Sequence, residues 1–438
     1  MAAQPPESPG KTVVEMWMNH WFLLPKLLDP IKEQALEFGR RHPEYEVRIS
    51  GIDVRTMLEE LGDAVAAGTG PQLVTIMYLW SQHARDMRLP SGAPAFQAIE
   101  EAIGGRSEIL GEPVVVGDLV PNMARNQTID GKLNAMPRNP STTLMYANMT
   151  ILREAGITEP PRTWQQIDAA CEAVARLRGR RPSHAITWPN QGWFFEQAVA
   201  QHGGQYVDHD NGRTGRAEKI DLATPEMLSF VTWWQRLNRD GHFLYSGKQM
   251  DWLGCYDLFV KGEVAITLNS SVEAGPLVSD ARDNGFEVVP VPFPYNEDVP
   301  FVGNSVAGDG IWLAAGLSDE VRDGALAFLQ FLVAPQRAAA VHGDKRTFMP
   351  ITESSLRLLE EQGWYVENPH ERTAIDQLRR SADTPATRGA VFGRARAVQD
   401  VITEAMHDVL MSGADPVARF QQATAQAQQM LDEYNDTH

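Results

Sequence analysis

Between Val13 and Met77 two kinds of hydrophobic spacing alternate, and this alternation restricts the fold more than any other feature of the chain. Val13 to Trp17 is a short apolar strand that opens into a loop, Asn19 to Phe22. From about Pro25 the residues Leu27, Leu28, Ile31, Ala35, Leu36 and Phe38 recur at helical spacing, and the helix ends before His42 and Pro43. Tyr45 to Ser50 alternates as a strand, residues 54–67 form a second helix, and Leu73 to Met77 is a third strand. Strands and helices in this order predict the α/β class, with an open, mostly parallel sheet whose ligand-facing loops lie at the carboxyl ends of its strands. Two such loops are rich in aromatics and amides: Asn19, His20 and Trp21 follow the first strand, and Tyr78, Trp80, Ser81 and Gln82 follow the third.

At 438 residues the chain is too long for one ordinary core, which predicts two lobes. Asp130-Gly131-Lys132 is a hairpin turn signal. It leads into AMPRNPSTTLMYAN at 135–148, where an apolar run breaks into Arg138, Asn139, Pro140, Ser141, Thr142 and Thr143 and then resumes. Thr163 can cap a helix that Gln166 helps close. From there to about residue 275 the chain is helix-rich and carries Trp188, Trp193, Phe194, Phe195, Trp233, Trp234 and Trp252. Phe286 to Pro290 and Ile311 to Ala314 return to strand pattern. A helix over Glu320 to Val333 and two long amphipathic helices, 395–411 and 416–434, complete the order.

Several function classes are disfavoured. The formal charge is 39 minus 57, or −18, a field that repels nucleic-acid phosphates and anionic lipid. Cys171 and Cys255 have no metal-type spacing, so two free thiols are expected rather than a bridge. No run reaches the roughly 18 apolar residues of a membrane span. The opening MAAQPPESPGK has no basic and apolar signal pattern, so export would require a signal absent from this chain. Gly303-Asn304-Ser305-Val306-Ala307 fails as a nucleophile elbow because its fifth residue is Ala. Asp208-His209-Asp210-Asn211-Gly212 has Gly one position early for a calcium loop and reads as an Asn-Gly hairpin turn. No cofactor motif is present. What recurs is Trp and Tyr beside Asn, Gln, Ser and Asp, the combination that stacks on a sugar ring and bonds its hydroxyl groups.

The collinear pieces DGKLNAMPRNPSTTLMYANMTILREAGI, PPRTWQQI, LFVKGEVAITLNSS, FLQFLVAPQ and FMPITESS resemble the extracellular solute-binding proteins of the maltose-binding type that serve ABC importers. QGWFFEQ and EQGWYVENP are similar to the glycerol-3-phosphate-binding branch. The resemblance spans nearly the whole chain. It implies a two-lobe periplasmic-binding-protein type II fold with the crossing near residue 139: 1–138 in an N-terminal lobe, 139–292 in a C-terminal lobe, 293–340 returning to the first and 341–438 closing the second. It implies a ligand cleft between the lobes, with the polar residues of 135–148 facing it.

Matched by motif, the resemblance places Asn139, Ser141, Trp193, Ser270, Ser271, Gly308 and Tyr365 at ligand positions. Asn19, Trp21, Tyr78, Trp80, Trp252, Glu273 and Asp309 join them as loop aromatics, amides and carboxylates. Ser270 and Ser271 as turn residues, Asp309 as a solvated loop carboxylate, and Trp193 and Tyr365 as core remain open alternatives. Where the branch carries a phosphate-binding Arg this chain has Phe392, with Arg394 and Arg396 nearby. The reading is therefore a binding protein for a small neutral or amino sugar, without catalysis or cofactor. It would work as an extracytoplasmic monomer, lipid-anchored or free, that docks on membrane permease subunits. A glycerophosphodiester or glycerol-3-phosphate is the alternative ligand, and glycoside hydrolysis or a protein-binding adaptor are the alternative functions.

Overall fold

The computed structural model describes residues 10–20, 28–177, 182–340 and 348–438. The strands of its two main sheets are β1 (Thr12–His20), β2 (Tyr45–Asp53), β3 (Leu73–Met77), β4 (Phe96–Gln97), β5 (Ala135–Ser141), β6 (Thr143–Asn148), β7 (His184–Thr187), β8 (Val264–Ser270), β9 (Val288–Pro292) and β10 (Ala307–Ala314). The helices that matter below are α1 (Asp29–Arg41), α2 (Met57–Ala66), α3 (Trp164–Val174), α4 (Gly192–Gln201), α5 (Pro225–Arg239), α6 (Trp252–Val260), α7 (Ala274–Asp283), α8 (Asp319–Val333), α9 (Ala395–Ser412) and α10 (Pro416–Asn435).

The chain divides into two compact units and crosses between them after Arg138 and again before Gly308; Pro350–Leu358 also belongs to the first unit. Residues 293–307, expected with the first unit, lie in the second. Phe293 is buried there against Phe194 and Phe230, and its N–H donates to Gln377 Oε1 at 2.6 Å. Conversely 350–358, expected in the second, is tied to the first, where Val120 N–H donates to the Ile351 carbonyl at 2.8 Å.

In the first unit the sheet order is β2-β1-β3-β10-β4, with β5 also pairing β10. Val14, Met16 and Met18 alternate inward along β1. The strand runs on to His20 because its parallel pairing with β2 persists through Asn19↔Ile52. Asn19 is therefore a strand residue, not a loop residue. α1 starts on a proline in its first turn with Asp29 and ends on Arg40 and Arg41, charges that suit its dipole. It buries Ile31, Ala35 and Phe38, and Phe38 meets Phe328 and Phe331 of α8 edge-on, each at 5.4 Å. Each such ring contributes about 1.5–3 kcal/mol on burial. Leu36, expected on the same stripe, is 67% exposed.

The sheet of the second unit is ordered β7-β8-β6-β9, and only its β7–β8 pair is parallel. In the first unit β10 is likewise antiparallel to β3 and β4. The mostly parallel expectation fails at β6 and β10 for one reason. Both are reached by a chain crossing from the other unit, not by the helical crossover that makes neighbours parallel. The stretch 135–148 is strand almost throughout, with Thr142 alone separating β5 of the first sheet from β6 of the second.

The core of the second unit is aromatic. Trp164 stacks on Trp233 at 4.8 Å and Trp188 leans on Trp234 at 4.6 Å, while Phe194 and Phe195 are fully buried. Thr163 caps α3 by accepting from Gln166 N–H at 3.2 Å. Gln166 in turn accepts from Arg162 N–H at 2.8 Å, one residue earlier than a capping box requires. Asp130 and Gly131 take φ 52° and 74° and form the expected hairpin turn. Asp208–Gly212 is not the expected hairpin. His209, Asp210 and Asn211 make a left-handed turn at φ 52°, 54° and 59°. Left-handed backbone costs about 1–2 kcal/mol per residue, and here Asn211 Oδ1 offsets part of it by accepting from Tyr206 N–H at 3.2 Å. Cys171 and Cys255 are buried free thiols.

Candidate functional site

The site residues named from sequence fall into two sets, one in each unit. In the first unit β1 and β3 end side by side, and β10 lies across β3 with Asp309 opposite Met77. This register brings two residues almost 300 positions apart into contact: Asn19 Nδ2 donates to Asp309 Oδ1 at 3.0 Å. The backbone N–H of Asn19 donates to Thr75 Oγ1 at 2.8 Å, so the side chain is fixed at its root. Asp309 is 5% exposed and stands in a strand, which overturns the alternative of a solvated loop carboxylate.

A third residue, which sequence reasoning did not nominate, completes this set. Arg138 is the last residue of the first unit on β5. Burial pushes its pKa down to about 10, opposed by the charge of Asp309, so it stays a cation at neutral pH. Its Nε is buried without a hydrogen-bond partner, and so is Oδ1 of Asn19. Both are exceptions to the rule that buried polar atoms are paired. No spacing in the sequence signals Arg138; the alternation of β5 alone could have placed it on a face.

The aromatics of this unit fit less well. Tyr78 and Trp80 lie in a 3₁₀ turn after β3 that continues into a helix at Ser81–Asp86, where a loop was expected. Tyr78 is half-buried, while Trp80 is 8% exposed and belongs mainly to the core. Trp21 lies outside the described residues. Gly308 takes φ 142°, a region that side chains disfavour.

In the second unit the segment after the crossing is a knot of buried hydrogen bonds. Asn139 sits at φ 50°, a left-handed conformation that Asn tolerates better than most residues. Thr142 is fully buried: its N–H donates to Ser271 Oγ at 3.1 Å, its carbonyl accepts from Ser271 N–H at 2.8 Å, and its hydroxyl donates to the Ser305 carbonyl at 3.2 Å. Gln377 donates to Thr142 Oγ1 at 3.0 Å and to the Thr143 carbonyl at 2.9 Å. The polar residues between the two apolar pieces were expected to face ligand. Ser141, Thr142 and Thr143 are buried, and this is where backbone groups of two strands must be satisfied.

Ser270 and Ser271 stand at the end of β8 with Thr143 paired to Ser270. Ser270 Oγ caps the following turn by accepting from Val272 N–H at 3.3 Å, and its carbonyl accepts from the Tyr146 hydroxyl at 2.6 Å. The turn-residue alternative thus describes part of what both serines do, although each hydroxyl can still donate. Glu273 ends the same 3₁₀ turn and is half-buried.

Gln197 of α4 donates to Ser305 Oγ at 2.8 Å, and Trp193 lies one turn earlier with its ring 6.3 Å from half-buried Trp252. Trp193 is 8% exposed, yet its Nε1 has no partner. Tyr365 follows Gly363 on a short helix, Trp364–Glu367, and its hydroxyl is buried without a partner; that burial pushes its pKa up. Phe392 is core, edge-on to Tyr206 at 5.9 Å. Arg396 pairs with Asp400, and Arg394 is exposed.

A groove of about 490 Å³ elsewhere in the second unit is lined by Trp164, Gln165, Asp168, Trp233, Arg236 and Asn296, among others. Its polar groups serve one another. Asp168 accepts from Trp233 Nε1 at 3.0 Å and pairs with Arg236, and Gln165 donates to Asn296 at 2.7 Å.

The family model for the bacterial extracellular solute-binding proteins matches residues 33–373. An sn-glycerol-3-phosphate-binding periplasmic protein of Yersinia pestis is 26% identical over 413 residues, covering 93% of this chain and 89% of the relative. Its Salmonella typhimurium counterpart is 25% identical over 428 residues, 96% and 92% of the two chains. Among solved structures, the sugar-binding protein MalE of Xanthomonas citri superposes with a TM-score of 0.77 at 18% identity over 96% of this chain and 98% of that one. The Mycobacterium tuberculosis protein UgpB, solved with glycerophosphocholine, gives 0.70 at 20% identity over 97% and 99%.

Proposed function

Because the chain belongs to the bacterial extracellular solute-binding proteins, we propose that it is the substrate-binding component of an ABC importer and that it captures a small carbohydrate for delivery to a membrane permease. The match across 33–373 carries the transport role. The carbohydrate reading draws on the site residues. The first unit offers a buried amide and carboxylate and a partly buried guanidinium, and the second offers indoles, hydroxyls and a phenol, a set that suits a ring bearing several hydroxyl groups.

The proposed ligand contacts are Asn19, Tyr78 and Asp309 in the one unit and Trp193, Trp252, Ser270, Ser271, Glu273 and Tyr365 in the other. Asn139 and Gly308, the two positive-φ residues beside the crossings, are the points about which the units move. Such a movement needs a ligand that binds one arrangement better by several kcal/mol, which satisfying buried orphan groups would provide. The protein acts outside the cytoplasm as a monomer, free or lipid-anchored, and without catalysis. No helix among the described residues is long and apolar enough to cross a membrane.

A glycerophosphate ligand is the second reading, favoured by the sn-glycerol-3-phosphate-binding relatives. Against it, the position that the resemblance assigns to a phosphate-binding Arg holds the core residue Phe392. Calorimetry with maltose, trehalose, glucosamine, sn-glycerol-3-phosphate and glycerophosphocholine tests both. Heat with a glycoside, which is recovered uncleaved, supports the first reading; heat with the phosphate esters alone replaces it with the second.

A further inference from the structure

The first turn of α4 is held from outside its own helix. Its N-cap is Gln191, whose Oε1 accepts from Trp193 N–H at 2.8 Å. Gln is not a favoured cap; Ser, Thr, Asp and Asn fill that place because a short side chain reaches the orphan N–H groups directly. Here the longer side chain is tied at its far end as well. Gln191 Nε2 donates to Gln399 Oε1 at 3.0 Å, and Gln399 Nε2 donates to Glu196 Oε1 at 2.6 Å. Either amide taken alone could be turned both ways, but a carboxylate only accepts. Glu196 therefore sets the Gln399 amide, which sets the Gln191 amide, which turns an oxygen and not a nitrogen toward Trp193 N–H.

Thr403, one turn after Gln399 on α9, adds a second tie. Its Oγ1 accepts from Gly192 N–H at 3.0 Å, and its carbonyl accepts from Asn190 Nδ2 at 2.8 Å. A Cβ on Gly192 would stand 2.8 Å from Gln399 Cβ and 2.9 Å from its Cα, so α4 and α9 meet where only glycine fits. Asn190, Gln191, Glu196, Gln399 and Thr403 are all buried. Phe194 and Phe195, fully buried, already anchor α4 by their apolar area. The polar chain adds direction, because a satisfied network admits one arrangement. The residue at its end is Trp193, whose ring lies 6.3 Å from that of Trp252.

Resting on the proposed ligand contact at Trp193, we infer that Gln191 and Gln399 are positioning residues for that contact. α9 sets the Trp193 ring for the ligand through the two amides, although Gln399 is 208 positions from Gln191 in the chain.

The experiment uses the full chain and a double-mutant cycle. Calorimetry with maltose, trehalose, glucosamine, sn-glycerol-3-phosphate and glycerophosphocholine finds the compound that the wild type binds best, and the cycle is run with that compound. Trp193→Ala should lower affinity about 10- to 100-fold. Gln399→Met, which keeps the length of the side chain, and Gln191→Ser, which keeps a helix cap but cuts the link to α9, should each lower it about 5- to 10-fold. In the Trp193→Ala background the same two changes should cost less than about twofold, because the ring they position is gone. Thermal melting checks that each variant folds, and Gln191→Ser decides the matter if Gln399→Met melts early. Equal losses in both backgrounds are the mark of a merely structural network. That pattern, or full affinity in Gln191→Ser, or no loss in Trp193→Ala, overturns the inference and leaves the carbohydrate reading standing. Binding of the phosphate esters alone overturns the carbohydrate reading, while the cycle run on the ester still judges the positioning. A wild type silent to all five compounds overturns both.

Discussion

The strand-end cluster of the first unit and the groove of the second unit contain similar ingredients and differ in what those ingredients are doing. Each has an aspartate, an arginine, an amide and nearby rings. In the groove, Asp168 is bonded to Trp233 and paired with Arg236, and Gln165 is bonded to Asn296, so the lining is closed on itself. At the strand ends, Asp309 accepts from Asn19, its charge acts on Arg138, and Asn19 Oδ1 and Arg138 Nε are buried without a partner. The groove has the volume, about 490 Å³. The cluster has the unsatisfied valence. A ligand gains from hydrogen bonds that the empty protein lacks, not from displacing ones it already makes, so valence is the better guide to a binding site than volume.

Substitutions can break this contrast, and the largest effect is expected in the groove. Trp233→Ala removes a ring that is 4% exposed and stacked on Trp164, and chemical unfolding should show a loss of about 3–5 kcal/mol. Ligand affinity should nevertheless stay within about twofold, as independent sites behave. A large loss of affinity at retained fold would make the groove the site.

Asp309→Leu at the strand ends should cost stability toward the lower end of about 3–5 kcal/mol, because Arg138 then stands partly buried without its counter-charge. Urea unfolding of the double variant Arg138→Met with Asp309→Leu should recover most of that loss. If the single variant costs nothing, Arg138 does not depend on Asp309 and the cluster is misread.

Asp168→Asn tests the closed lining more gently. Its partner Arg236 has a side chain 42% exposed, so solvent screens the pair and the expected loss is below about 1 kcal/mol, with affinity unchanged. The smallest effect concerns pH. Burial lowers the pKa of His202, whose ring lies 5.3 Å from that of Trp164. The unfolded chain therefore binds this proton more readily than the folded one, and stability contributed by neutral His202 is lost as pH falls below its ordinary value near 6.5. Melting curves at pH 7.5 and 5 should differ less in His202→Gln than in the wild type; equal differences would remove His202 from the account.

Much of the scaffold was legible in the sequence, and the reasons are local. The stripe Ile31, Ala35, Phe38 marks α1, Leu73–Met77 reads as a buried strand, and Asp130-Gly131 reads as a tight turn, since spacing and left-handed tolerance are properties of a few neighbouring residues. The cap on α3 was visible, and only its closing bond moved by one residue. The left-handed turn at His209–Asn211 was not. It is held by Tyr206 N–H on one side, and a Cβ on Gly212 would meet the Val391 carbonyl at 1.8 Å, a contact made some 180 residues away. Strand direction in the second unit was missed for a similar reason: no window of sequence shows that β6 is entered from another sheet.

The candidate site divides along the same line. Asn19, Trp193, Ser270, Ser271 and Tyr365 could be named because residue type and the order of motifs pointed to them. Which of their atoms remain free could not. Ser271 Oγ is occupied by Thr142 N–H, Ser270 Oγ caps a turn, and Trp80 is core, whereas Asn19 Oδ1 and Arg138 Nε are unused.

From the linear order of residues alone come the α/β class, the two units and the membership of a solute-binding family, because periodicity, turn chemistry and collinear motifs are written along the chain. Only the folded arrangement decides that Asn19 and Asp309 meet, since β1 and β10 are strangers in sequence and are brought together by pairing in one sheet. Hydrogen-bond satisfaction is a property of the neighbourhood in space, so the atoms that await a ligand can be counted only after the strands are in register.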